Sequence, residues 1–191
     1  MKKLSGWAIF GIILGIFAVF GSMYVIGNYN NLISLRENVN NQYSNIDVCL
    51  QRRSDLIPNL VSTVKGYTNH EKEILTQISE SRAKLSGAGN INEKSQASTE
   101  LTNALSRLLV VVENYPNLKA DAQFIALTDE LAGTENRIAV ARRDYNTAVQ
   151  TYNQTIKKFP TNIIANMFNF ESAERFESTD SAREVPIVNF E

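Results

Sequence analysis

The hydrophobic and polar positions of this chain change rhythm once, near residue 27. From Leu4 to Ile26 the chain reads LSGWAIFGIILGIFAVFGSMYVI, 23 residues without a charge. Beyond it the apolar residues become periodic. They fall at Leu32, Leu35, Val39, Tyr43, Ile46, Leu50, Ile57, Leu60, Val64, Tyr67, Ile74, Ile78 and Leu85, at spacings of three, four or seven. Those intervals set side chains on one face of a helix. The pattern predicts one long helix from Tyr29 to Leu85. Two residues depart from it: Arg53 occupies an apolar position of the stripe, and Pro58 lies inside it. Proline removes one backbone donor and collides with the carbonyl four residues earlier, here that of Ser54, at a cost of about 3 kcal/mol. Because the stripe keeps its phase across Pro58, the expectation is a kink rather than a stop.

Further along, SGAGNINEK interrupts the stripe with two glycines and reads as a turn. Asn90 and Glu93 have the spacing of a capping box, in which each side chain bonds a free amide at a helix start. A second helix is predicted to about Asn114, with Ala97, Leu101, Ala104 or Leu105, Leu108, Val111 and Tyr115 on one face. Tyr115-Pro116-Asn117 ends it. A third runs from about Asp121 to Lys158, its face marked by Phe124, Leu127, Leu131, Ile138, Ala141, Tyr145, Ala148, Tyr152, Ile156 and Phe159. Phe159-Pro160 ends that helix, and a short fourth, Thr161 to Phe168, follows. The expected class is all-α: an N-terminal transmembrane helix, then an antiparallel bundle of three long helices, the first kinked at Pro58, closed by the short fourth. The domain limits are residues 1–27 for an N-terminal stub and anchor, 28–168 for the bundle and 169–191 for a polar tail.

The uncharged run makes a helix about 34 Å long at about 1.5 Å per residue, enough to cross about 30 Å of hydrocarbon. It is longer than the apolar core of a signal peptide and no small-residue cleavage site follows it cleanly, so an uncleaved anchor is the expectation. Gly11 and Gly15 form G-x-x-x-G, which lets two membrane helices approach closely. Trp7 and Tyr24 lie near the ends, where aromatic rings favour the interface. Lys2 and Lys3 precede the run, and only Arg36 follows within about 20 residues. The charge bias therefore puts the N-terminus in the cytoplasm and the bundle outside it.

Composition narrows the function classes. A chain of 191 residues, 43% hydrophobic, buries one sizeable core. Its net charge is −1, and −3 beyond Gly27, where 17 basic residues face 20 acidic ones. That balance argues against nucleic acid as a partner. The single cysteine, Cys49, excludes an intrachain disulfide. The single histidine, His70, precedes Glu71, but Ile74 stands where H-E-x-x-H needs its second ligand. No phosphate-binding loop, nucleophile elbow or dinucleotide fingerprint is present. The reading is a protein without catalytic residues, cofactor or metal.

Polar residues in unusual places are the remaining candidates. Arg52, Arg53, Asp55 and Asn59 cluster around Pro58, and Glu135, Asn136 and Arg137 form a comparable group on the third helix. Arg53, being on the apolar stripe, is expected to pair with Glu135 inside the bundle and set helix register. Ile163, Ile164, Met167 and Phe168, after Lys157 and Lys158, either dip into a membrane surface or cap the bundle end. Phe170, Phe176 and Phe190, each followed by Glu, are docking elements for a partner or rings that fold back onto their own bundle.

These residues carry a family resemblance. YNNLISLREN, NIDVCLQRRSDLIPNLVSTVKGYTNHE, TENRIAVARRDYNTAVQTYNQTIKKFPTNIIA and the Phe-containing tail, in that order over nearly the whole chain, resemble the LemA family of bacterial single-pass membrane proteins. Tyr43 stands where the family pattern has Trp. The resemblance implies an anchor and a small helical bundle, and it carries no catalytic or ligand-binding residues onto these positions. The expected function is a non-enzymatic scaffold or adaptor in the bacterial inner membrane. Its partners are the lipid bilayer, through residues 4–26, and other membrane or envelope proteins. The alternative is a self-assembling structural or membrane-shaping protein whose partner is another copy.

Overall fold

The computed structural model of the chain describes residues 6–67 and 71–176. Six helices follow one another there: α1 (Gly6–Lys65), α2 (Lys72–Gly87), α3 (Ile91–Val112), α4 (Pro116–Lys119), α5 (Ala122–Lys157) and α6 (Thr161–Met167). No strand occurs among the described residues. The all-α class and the long apolar N-terminal helix are as the sequence pattern predicts. α1 is long and apolar enough to cross a membrane, and none of its most apolar window is buried. Gly11 and Gly15 lie on this exposed part, with nothing within 4 Å of where a Cβ would stand.

The described residues fall into two compact units, one drawn from Met1–Asn41 and Thr147–Ala173, the other from Gln42–Asn146 and Glu174–Glu191. In the first, Leu32 and Val39 of α1 are buried, with Ala148, Val149, Tyr152 and Ile156 of α5, Ile164 and Ala165 of α6, and Phe170. α6 ends where Asn169 takes a left-handed φ of 54° and the Phe170 amide reaches back to the Ala165 carbonyl at 2.9 Å. That closure usually employs glycine, and asparagine is the commonest substitute. It turns Phe170 inward, to 7% exposure.

In the second unit, Ile46, Leu50, Ile57, Leu60 and Val64 of α1 are buried, as are Leu75, Ile78 and Leu85 of α2. α3 contributes Leu101, Ala104, Leu108 and Val112, and α5 contributes Phe124, Ile138 and Ala141. Burying each large aliphatic side chain contributes about 1.5–3 kcal/mol. The buried residue at the end of α3 is Val112 rather than Val111. The expected cap of α3 forms with one change. Asn90 Oδ1 accepts the Glu93 amide at 2.9 Å, but Glu93 Oε2 accepts the amide of Gly89, not of Asn90, at 2.8 Å.

One expectation is corrected. The stripe from Tyr29 to Leu85 predicted a single helix, whereas α1 ends at Lys65 and α2 begins at Lys72. At the end of α1 the amide ladder tightens: Gly66 bonds Thr63 at 3.1 Å and Tyr67 bonds Val64 at 3.0 Å. Gly66 is a poor helix former, and it stands where the helix yields. The periodicity hid the break because Tyr67 and Ile74 happen to stand seven apart. Tyr67 is 45% exposed, and its hydroxyl donates to Asp121 Oδ2 at 2.7 Å instead of filling the core. The one-turn α4, begun by Pro116, was also not predicted; it places Leu118 fully inside.

Candidate functional site

The polar residues that depart from the helical stripes meet in the second unit, around Arg53. Its side chain replaces an apolar residue on the buried face of α1, between Leu50 and Ile57, and retains 3% exposure. A buried guanidinium is costly unless its donors are matched. Arg53 Nη2 donates to Thr102 Oγ1 of α3 at 2.8 Å. Arg53 Nη1 lies 2.8 Å from Glu135 Oε2 of α5, an ion pair without hydrogen-bond alignment. Thr102 passes its own proton to the Ser98 carbonyl at 3.0 Å, one turn back, so its oxygen is oriented to accept from Arg53.

A second arginine, absent from the sequence-based candidates, joins them. Arg142, seven residues after Glu135 and so on the same side of α5, donates from Nη2 to Ser98 Oγ at 2.7 Å. Its guanidinium stacks 4.6 Å from the centroid of Phe176, a cation–π contact. Arg142 Nε is buried without a hydrogen-bond partner. Burial lowers the affinity of Arg142 for its proton, and Glu135 opposes that effect. For Arg53 burial again acts first and downward, Glu135 upward and Arg142 downward. Arginine stays protonated in proteins, so two cations share one carboxylate and the group carries one net positive charge. Glu135 is 40% exposed at its side chain, which lets water assist on one side only. A cleft of about 180 Å³ reaches this group, walled by Leu60, Leu105, Leu109 and Leu131.

The other sequence candidates divide. Pro58 and Asn59 are exposed on α1, which is helical on both sides of the proline. Proline has no N–H to offer the Ser54 carbonyl, and Arg82 of α2 supplies a donor instead, Nε to O at 2.8 Å. Arg52 pairs at the surface with Glu130, 2.8 Å away. Phe170 and Phe176 are both buried within the chain, the latter at 4% exposure. Phe190 and His70 lie outside the described residues.

Four side chains of α5 hold the main chain at Glu171, Ala173, Glu174 and Phe176, and two of them, Asn146 and Asn153, were passed over by sequence reasoning. Asn146 clasps the Phe176 backbone from both sides, Nδ2 to the carbonyl and Oδ1 from the amide, each at 2.9 Å. Tyr145 adds its hydroxyl to the Glu174 carbonyl at 2.8 Å. In the other unit Asn153 clasps Ala173 in the same way, at 2.8 and 2.9 Å, and the Tyr152 hydroxyl reaches the Glu171 carbonyl at 2.9 Å. The signal was present as Tyr-Asn repeated at a seven-residue interval, 145–146 and 152–153. An extended segment beside a helix has no ladder of its own, so its backbone groups must be met by side chains.

Comparison with known proteins agrees with the resemblance read from the motifs. The LemA family model matches residues 42–190. The magnetosome protein MamQ 2 of Paramagnetospirillum magneticum is 30% identical over 186 aligned residues, covering 84% of this chain and 68% of the relative. MamQ of Magnetospirillum gryphiswaldense is 27% identical over the same shares. Protein LemA of Metamycoplasma hominis is 27% identical over 169 residues, 86% of this chain and 75% of its own. None of these names is that of an enzyme.

Proposed function

Because this chain belongs to the LemA family, we propose that it is a membrane-anchored, non-enzymatic helical scaffold that presents its bundle to other membrane or envelope proteins. The observation that carries this is α1 itself. One 60-residue helix holds a run of exposed apolar side chains and, further on, the buried stripe on which the second unit is built. An anchor made in one piece with a folding element suits a protein whose task is to hold a surface at a membrane. The Arg53, Arg142 and Glu135 group supports the same role, since its members bond to neighbouring helices and to the segment at Phe176. The single-pass anchor lies in the bacterial inner membrane, with the N-terminus in the cytoplasm and the bundle outside it. That orientation is supported by Lys2 and Lys3 ahead of the run and Arg36 alone close behind it.

Thiol labelling of intact cells tests the reading at its most consequential point. With single cysteines at Ser5 or Ser181 in a Cys49→Ser background, a membrane-impermeant reagent should modify the second and spare the first. The reverse pattern would make the bundle cytoplasmic and redirect the search for partners. The alternative, a self-assembling structural protein, draws on Gly11 and Gly15, whose exposed surface is open to a second helix. Cross-linking through a Gly11→Cys variant at several protein-to-lipid ratios distinguishes them: dimers that persist on dilution favour assembly, and their disappearance favours the single-copy scaffold.

A further inference from the structure

α6 divides its residues between two environments. Thr161, Ile164 and Ala165 are buried within the unit that contains the N-terminal part of α1. Ile163, Met167 and Phe168 are 57%, 58% and 45% exposed, and Phe159, just ahead of the helix, is 80% exposed. Four large apolar side chains open to solvent within ten residues exceed scattered exposure and mark a surface that meets a partner.

The attachment of α6 says which partner. At its start, Thr161 Oγ1 bonds Asn28 Oδ1 at 3.1 Å; just past its end, the Phe168 ring stands 4.8 Å from the ring of Tyr29. Asn28 is two residues beyond Ile26, the last residue of the continuous apolar stretch, which is about 3 Å of helix. The headgroup layer is about 5–8 Å deep on each side of the hydrocarbon. Both ends of α6 are therefore tied to α1 at headgroup depth. Lys157 and Lys158, both exposed, stand immediately before the apolar group.

We propose that Phe159, Ile163, Met167 and Phe168 form an interfacial foot seated in the headgroup layer of the bilayer that α1 crosses, with Lys157 and Lys158 supplying attraction to anionic lipid. Amphipathic elements of this kind lie in the interface plane with the apolar side toward the acyl chains. The foot depends on the membrane span proposed above, so its test must separate the two. The buried face of the same helix closes the unit, so α6 both caps the fold and meets lipid.

The experiment uses the full chain in vesicles of phosphatidylcholine and phosphatidylglycerol, in a Cys49→Ser background. Single cysteines at Ile16, Asn38, Ile163 or Met167 carry an environment-sensitive fluorophore, and the lipids carry a nitroxide either near the headgroup or near the chain end. Labels at 163 and 167 should shift to the blue and lose most of their emission to the shallow nitroxide. The label at 16 should be quenched by the deep one and the label at 38, an exposed position further along α1, by neither. Quenching at 16 with water-like, unquenched emission at 163 and 167 overturns the foot while leaving the span. An unquenched label at 16 overturns both. Blue-shifted but unquenched labels at 163 and 167 would mean that protein, such as a second copy, covers α6, and the lipid assignment would be wrong. Circular dichroism of each labelled variant confirms the fold.

Discussion

The Arg82 side chain donates from Nε to the Ser54 carbonyl at 2.8 Å, the acceptor that Pro58, four residues on, has no amide to meet. A helix interrupted by proline normally leaves that carbonyl to water. Here Ser54 is 3% exposed, so the donor comes from α2 instead. The irregularity in one helix thereby becomes the attachment point of another.

A double-mutant cycle measures that attachment. Arg82→Ala should destabilise the chain by about 1–3 kcal/mol, the cost of leaving a buried carbonyl unmet. Pro58→Ala restores an amide in α1, and in its background the Arg82→Ala loss should shrink well below that range. Urea titration of the four chains in detergent supplies the numbers. Equal losses in both backgrounds would show that Arg82 contributes only packing.

Removing Arg53 should cost more. Arg53→Ala abolishes the bond to Thr102 and the ion pair to Glu135, and deleting one side of a buried pair typically costs about 3–5 kcal/mol. Glu135→Ala should cost less than Arg53→Ala, since the Glu135 side chain is 40% exposed and Arg53 keeps Thr102. An unchanged melting temperature in Arg53→Ala would refute the role assigned to this residue in setting register.

Tyr145 makes the fold alkali-sensitive. Burial, assisted by Tyr43 and Glu174, pushes its phenol from 10.0 up to about 12. The folded value lies above the unfolded one, so this contribution is complete below pH 10 and is lost as pH climbs toward 12. Tyr67 and Tyr152 are also raised, and Tyr145→Phe should therefore flatten part of the alkaline stability loss, not all of it. Melting curves between those pH limits, with tyrosinate absorbance recorded in parallel, would reveal a slope unchanged by the substitution if this account fails.

The two asparagine clasps can be tested with almost no change of shape. Asn146→Asp keeps the acceptor for the Phe176 amide but sets an anionic oxygen against the Phe176 carbonyl. Asn153→Asp does the same at Ala173. Each change should accelerate amide hydrogen exchange at the clasped residue by about tenfold or more, one lost bond being worth about 1.4 kcal/mol or more in local opening. Acceleration spread evenly over α5 would indicate loss of the helix rather than of the clasp.

Much of this architecture was legible in the pattern of residues. The uncharged run, the limits of α3, α5 and α6, and the anomaly of Arg53 all follow from spacing, because a helix converts sequence interval directly into direction. What spacing cannot convey is which distant residue stands opposite. Arg82 and Ser54 are 28 positions apart, and Arg142 and Ser98 are 44 apart; nothing local marks either arginine as different from a solvated one. The break after Lys65 was hidden for the opposite reason, since the apolar phase survives an interruption whose length happens to preserve it. The left-handed turn at Asn169 needed the next residue's burial to be recognised: Asn is common in loops, and only Phe170 turned inward makes its φ of 54° consequential.

The manner in which Asn146 and Asn153 hold their segments has a consequence for how this chain can change over generations. Both grip main-chain amides and carbonyls, which every residue except proline presents alike. Apart from proline at 173, most of positions 171–175 can thus exchange their side chains while the main-chain bonds to α5 are kept. The burden of preservation falls on the helix, where a Tyr-Asn pair must recur at a seven-residue interval, and on the exclusion of proline from positions 173 and 176. A stretch that drifts in composition among relatives would, by this logic, be one of the more faithfully held in space.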